Sequence, residues 1–490
     1  MKQRIQILII TLLGLSLRLY NLGYHDLWYD EVQSIFISNY YSPSLSRSLF
    51  YTILRFWIKI FGQSEFSVRF PALIFSALSI PSIYILGKKL FGSKIGLIAA
   101  IIMTLSPFQI WYAQEARHYS AGVFFSIAST YFLVMLINGG FRYWLYFIIF
   151  SVLGLYSGEF YLALLIAHIF FFFIYILPRL DKNKTISLLA PLFLAFFCLL
   201  PWFNYYLQSF NHIAKGFWIP QPGISSLKIT FENFLAGYNL SYIHYLIVDF
   251  LILLILFFAL KSIYINKDKT LRNNLYICLF LIAFPIISIY IFSKFIFPVY
   301  IDRGLIIFSP YFYILLALGL MYLTKRKVGI LAWLVLFFLF FIGIKNFYLD
   351  YMPLPFNHHM GTYIKKPVKP LIKFIEENSR HDDIVALTNH STLPSFKLYS
   401  KKPRRYYEFF DPALPNTDTD RPIKESAYII PKQKVPLLKA KRIWVIASNW
   451  SHDGGLDEQS KSVKNYLDKK MIRRLSENID GNWAFLYIPK

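Results

Sequence analysis

The sequence predicts a polytopic α-helical membrane protein with about 11 transmembrane helices, an interfacial amphipathic helix and a small C-terminal extracytoplasmic α/β domain. Three observations predict it. The chain is 56% hydrophobic and only 16% charged, where soluble domains are roughly 45–50% apolar and about 25% charged. Apolar runs of about 20 residues recur over the first 347 positions, enough to cross a ~30 Å hydrocarbon core as helices. Past position 370 the pattern turns to short strands alternating with helices.

Spans are expected near 5–22, 70–87, 95–113, 120–137, 143–157, 160–177, 186–203, 242–260, 275–293, 304–323 and 328–347. The first, "MKQRIQILIITLLGLSLRLY", has a basic start but no small-x-small cleavage site, so it reads as an uncleaved span. With the N-terminus in the cytoplasm, the cytoplasmic loops hold 16 basic residues against two acidic ones, Asp181 and Asp268. That bias sets a cell-membrane orientation with an odd number of spans. It puts the loop after the first span, the 113–120 exit, the 204–241 loop, "SKFIFPVYIDR" and everything past 347 on the non-cytoplasmic side. Much of the +24 charge lies in these short loops, beside anionic headgroups, so membrane lipids and not nucleic acid are the implied partners. Cys198 and Cys278 both lie in expected spans, and no Cys/His spacing suits zinc.

Residues 1–347 form the transmembrane domain, the Pro- and His-rich 348–370 a linker, and 371–490 the α/β domain. In the last, "VKPLIKFIEENS" and "DEQSKSVKNYLDKK" have helical spacing, while "DDIVALTN", "RIWVIASNW" and "WAFLYIP" read as strands. Within the first domain, residues 45–61 read as a helix lying in the interface. Leu45, Leu49, Ile53, Phe56, Trp57, Ile60 and Phe61 share one face; Arg47, Tyr51, Arg55 and Lys59 follow at steps of four on another.

Two polar clusters flank the spans on the non-cytoplasmic side. "HDLWYDE" supplies Asp30 and Glu31 beside Trp28, Tyr29 and His25; "YAQEARHYS" supplies Glu115, Arg117, His118 and Tyr119. Taken singly, an Asp-Glu pair here is a first-turn helix acid. Glu-Ala-Arg is an interfacial ion pair, and Arg69 and Arg303 at span ends are snorkelling cations. Together they bring acids, arginines and aromatic rings to one surface of the bilayer. Ionisable residues at a membrane boundary mark sites that handle something polar.

"RLYNLGYHDLWYDE", the run from "LRFWIKIFGQSEF" through "SPFQIWYAQEARHYS", and "DRGLIIFSP" together resemble bacterial glycosyltransferase family 39. These are membrane-embedded transferases of the GT-C fold, related to protein O-mannosyltransferases and to the aminoarabinose transferase of lipid A. The resemblance is strongest over residues 15–125. It implies a polyprenyl-phosphate-sugar donor and an acceptor hydroxyl on a glycan, lipid or protein. Asp30 then matches the catalytic acid and Glu115 the acid of the second loop. Two stretches depart from the family pattern: "SRSLFY" stands where a His/Lys-Pro-Pro-Leu element is usual, and "YSGEFY" where a His-Tyr pair is common.

Such a transfer needs a base for the acceptor hydroxyl, worth roughly 10²–10⁴-fold, and cations for the leaving phosphate. Asp30 is the candidate base. Arg69, Arg117 and Arg303, with Arg47 and Lys59 behind them, are the candidate phosphate ligands, since arginine offers a planar fork that stays charged. Trp28, Tyr29, His118 and Tyr119 are candidate substrate contacts. Glu31 and Glu115 are placed to orient sugar hydroxyls or, with Asp30, to offer oxygen ligands to a divalent metal. No other cofactor is called for. A transporter or flippase of a lipid-linked saccharide is the main alternative, but it would favour polar groups at the midplane of broken helices. An assembly protein acting through its α/β domain is a third, and it would tolerate loss of the carboxylates.

Overall fold

The computed structural model describes residues 2–40, 48–179, 196–204, 219–265, 268–324, 327–354, 356–359, 361–362, 364–388, 393–402, 406–412, 428–438, 440–447 and 456–490. The chain divides into two compact units. One comprises Met1–Gly23 with Ile37–Thr362, and the other Tyr24–Phe36 with Tyr363–Lys490.

The first unit is helical. Among the described residues six helices are long and apolar enough to cross a membrane: Glu65–Phe91, Tyr119–Ile137, Tyr242–Ser262, Lys269–Phe295, Asp302–Leu323 and Val328–Tyr348. Asp302–Leu323 is the central one, 94% buried, whereas Tyr242–Ser262 and Val328–Tyr348 are 33% buried and turn exposed Phe250, Leu253, Ile330, Leu334 and Phe341 outward. This outward apolar surface is what a multi-pass protein presents to lipid. Helix ends follow local rules. Glu65–Phe91 is capped by Ser64, whose side chain accepts from Ser67 N, and carries Glu65 in its first turn and Lys88 and Lys89 in its last. It stops at Gly92, whose φ of 95° favours glycine.

The expected span 95–113 is not straight. Ser93–Leu105 and Pro107–Ala113 meet at a 61° bend. Pro107 has no N–H to give to Met103 O, and its ring crowds the preceding turn. Arg18, fully buried at the end of the Lys2–Leu19 helix, fills the gap. Its Nη2 donates to Met103 O (3.0 Å), Nη1 to Thr104 O (3.2 Å) and Gly14 O (3.0 Å), and Nε to Ser76 Oγ (2.7 Å). Trp144–Leu155 and Tyr161–Ile176 are shorter than the spans expected there. Most of the expected 186–203 span lies outside the described residues.

The Ser48–Phe61 helix differs from the two-faced reading. Phe50, Tyr51, Leu54 and Ile58 are buried against the protein, while Phe56, Ile60 and Phe61 are exposed. Tyr51, assigned to the basic face, is therefore an inward residue. Burial here follows contact with neighbouring spans, and a helical wheel carries no information about those.

The second unit contains a six-stranded sheet: β1 (Ile384–Leu387), β2 (Tyr406–Phe410), β3 (Tyr428–Pro431), β4 (Ile443–Ala447), β5 (Met471–Ile479) and β6 (Asn482–Pro489). Their order is β3-β2-β1-β4-β6-β5. The first four strands run parallel; β6 pairs antiparallel with both β4 and β5. All of β4 is buried, Trp444 and Ile446 in one core and Val445 in the other. A strand covered on both faces reads as a continuous apolar run. The Lys369–Asn378 helix supplies Leu371, Ile372 and Ile375 to the first core, and the Glu458–Lys470 helix supplies Val463 and Leu467 to the second. The β5–β6 hairpin turns at Asp480 and Gly481, both at positive φ, as a two-residue Asp-Gly turn requires.

Candidate active site

The second cluster is built in the first unit. Pro107–Ala113 ends at Gln114 and the next helix begins at Tyr119, leaving a non-helical turn between two apolar helices. Gln114, Glu115, Arg117 and His118 in this turn are only 1–6% exposed. Buried charges need partners. Trp111 Nε1 donates to Glu115 Oε1 (2.7 Å), and Arg117 Nη1 to the Tyr51 hydroxyl of the Ser48–Phe61 helix (3.3 Å). The Arg117 guanidinium lies 5.9 Å from the Tyr119 ring centroid, and His118 and Tyr119 rings are 4.5 Å apart. A Cβ on Gly158 would come within 3.1 Å of the His118 ring, so the glycine of "YSGEFY" is what lets that turn close on His118.

The same turn is tied to the end of the first helix. Gln114 Nε2 donates to Arg18 O (3.0 Å) and Tyr20 O (2.7 Å), and Arg69 Nη1 to Leu22 O (2.8 Å). Arg69 is 1% exposed, so it does not snorkel; it orders the chain entering the acidic loop. Arg303 is likewise buried, with Nη1 donating to Gly361 O (2.6 Å). Lys59, by contrast, is exposed, 5.9 Å from the Phe56 ring centroid. Arg47 lies outside the described residues.

A third polar group, which the sequence reading did not single out beyond Arg303, lies in the same unit. Asn233 Nδ2 donates to Asp302 Oδ2 (2.7 Å) and His358 O (2.9 Å), while the Tyr112 and Tyr238 hydroxyls are 2.6 Å apart. Lys228 Nζ pairs with Glu232 Oε1 (3.1 Å) and Asp249 Oδ2 (2.8 Å). Burial pushes the Glu232 carboxyl up to about 7 against the pull of Lys228, and burial drops the His358 imidazole to about 3. His358 is thus neutral, and its 3.9 Å approach to Glu232 is not an ion pair. The signal in the sequence is "FENF", where Glu232 and Asn233 stand side by side between two phenylalanines.

The first cluster belongs to the second unit. Tyr29–Tyr40 is a helix with Asp30 and Glu31 in its first turn, as the local pattern suggests. Glu31 is fully buried and Asp30 half-buried. Trp28 N donates to Glu31 Oε2 (3.4 Å), Lys365 Nζ lies 3.3 Å from the same oxygen, and Gln33 Nε2 donates to the Tyr29 hydroxyl (2.9 Å). Tyr29 packs against the core around Leu371 and Trp444. Among the described residues no group of three or more His, Cys, Asp or Glu side chains is placed to hold a metal ion.

The chain is similar to known proteins over part of its sequence and over its fold: a family model described as dolichyl-phosphate-mannose-protein mannosyltransferase matches residues 48–205, a stretch that includes the Gln114–Tyr119 turn. In particular the chain is similar in fold to ArnT from Cupriavidus metallidurans. The apo crystal structure of that protein gives a TM-score of 0.63 at 10% identity, covering 98% of this chain and 97% of that one. Its complex with undecaprenyl phosphate gives 0.62 at 10% identity over the same shares. No curated protein matches the sequence.

Proposed function

We propose that the protein is an inverting glycosyltransferase that moves a sugar from a polyprenyl-phosphate donor to an acceptor hydroxyl on the non-cytoplasmic face of the membrane. The observation that carries this reading is the buried Glu115–Arg117–His118 turn within the stretch that the mannosyltransferase model matches. Likeness in fold to a protein solved with undecaprenyl phosphate supports the class of donor.

In the proposed reaction Asp30 takes the proton of the acceptor hydroxyl as its oxygen attacks the anomeric carbon. The bond from that carbon to the phosphate oxygen breaks, and the electron pair leaves with polyprenyl phosphate. A phosphate is a good leaving group, so one base suffices. Arg117 is the foremost ligand for the leaving phosphate, because Tyr51 and Tyr119 hold its planar fork in place. Arg69 and Arg303 support the walls through backbone carbonyls. Glu115, fixed by Trp111, and the rings of Trp28, Tyr29, His118 and Tyr119 would orient the sugar and acceptor.

The test uses purified wild type and Asp30→Asn in detergent with radiolabelled polyprenyl-phosphate sugars and a membrane extract, following release of polyprenyl phosphate. Wild type is expected to release it with one donor, and the variant to lose at least about 100-fold in rate. Equal release by both would remove Asp30 as base. No release by wild type with any donor and a full set of acceptors would move the assignment to a transporter.

A further inference from the structure

The structure joins the acidic loop to the segment that the sequence marks as a linker. Every partner lies in the second unit. Val368, the residue before the Lys369–Asn378 helix, has no side chain that can cap it. Asp26, 342 residues away in sequence, does so instead, with Oδ2 accepting from Val368 N (2.8 Å) and Lys369 N (2.9 Å). Leu27 N donates to the Tyr399 hydroxyl (2.9 Å). Beyond Asp30, Glu31 meets Lys365 at 3.3 Å, with side chains 0% and 11% exposed. Asn482 Nδ2, from β6, donates to Pro367 O (3.1 Å) between the two ties.

Two carboxylates, one on either side of Asp30, are thus engaged by Lys365, Val368 and Lys369, within a five-residue stretch that Asn482 ties to the sheet at Pro367 O. Neighbouring helical residues are about 100° apart around the axis. Seating Glu31 inward therefore sets Asp30 round the helix, on its half-buried side.

We propose that Lys365 is a positioning residue: its ammonium seats the Glu31 carboxylate on the C-terminal domain, and this fixes the turn of helix that carries Asp30. The C-terminal domain is then the frame of the catalytic loop. Lys365 acts through Glu31 and does not contact the donor. The inference rests on the transferase reading for its catalytic consequence, while the pair itself is testable without it.

The test is a double-mutant cycle in the full-length protein: Lys365→Met, Glu31→Gln, both together, and Lys365→Arg. Turnover, KM for the donor and the thermal midpoint are measured for each. Lys365→Met is expected to lower kcat about 100-fold with KM for the donor unchanged, the loss that a small misplacement of a reacting group causes. In the Glu31→Gln background it should cost nothing further. Lys365→Arg, which keeps the charge, should restore most of the rate. Multiplicative losses would overturn the proposal by showing that the two residues act independently, and a raised KM with kcat intact would overturn it by making Lys365 a donor-phosphate ligand. If wild type shows no turnover with any donor, the transferase reading fails separately. The thermal midpoints then decide the pair: non-additive losses support it, and additive ones refute it.

Discussion

Glu232 shows how a single residue departs from its sequence-level appearance. It sits four residues after Lys228 on the Ile224–Ala236 helix, and the two would pass for an ordinary exposed pair. Its side chain is 2% exposed, and burial raises its carboxyl to about 7. A carboxyl raised above its unfolded value binds its proton more tightly in the folded state. Stability therefore falls as pH rises from the ordinary carboxylate range through about 7. We expect the wild-type thermal midpoint to decline between those limits and the Glu232→Gln profile to be flatter there; parallel profiles would contradict this. The acids and arginines of the candidate site were legible because ionisable residues beside apolar runs are rare. Asp26 and Lys365 were not, because a charge in a polar loop has no distinguishing pattern until its partner is known.

At the level of elements, the broken helix at Ser106–Pro107 is the informative feature. "SPF" announces a helix start, since serine caps and proline suits the first turn. It does not reveal that the preceding helix runs straight into it, nor that Arg18 accepts the role of the missing donor. Arg18→Met should orphan the carbonyls of Met103 and Thr104, at about 1–3 kcal/mol each, and lower the thermal midpoint. Adding Pro107→Ala returns an N–H to Met103 O and should recover part of the loss. Failure of any recovery would mean that Arg18 stabilises mainly through Ser76. Strands divided by the same logic. β4 was legible as a buried apolar run. β5, "MIRRLSENI", was not, because it is mostly exposed and mostly polar and is paired only with β6.

For the whole molecule, the charge bias of the loops predicts a cytoplasmic N-terminus and an extracytoplasmic C-terminal domain. A protease-sensitive tag after Lys490 should be cleaved from outside in intact spheroplasts, and one before Lys2 only after lysis. The reverse pattern would place the acidic loops in the cytoplasm and end the proposed use of an externally facing donor. The compact units add a constraint at this scale. The C-terminal unit includes Tyr24–Phe36, so the acidic loop and the sheet are parts of one body.

The sequence by itself determined that the chain is a multi-pass membrane protein, which polar clusters to watch and which glycosyltransferase class it resembles. These follow from composition, run length and short motifs, all local quantities. Only the tertiary structure decided that Arg69 and Arg303 are buried on backbone carbonyls, that Tyr51 faces inward to Arg117, and that Asp30 stands between two ties to residues 365–369. The reason is physical: each depends on a partner tens to hundreds of residues away, and burial of a charge is set by that partner rather than by its neighbours in the chain.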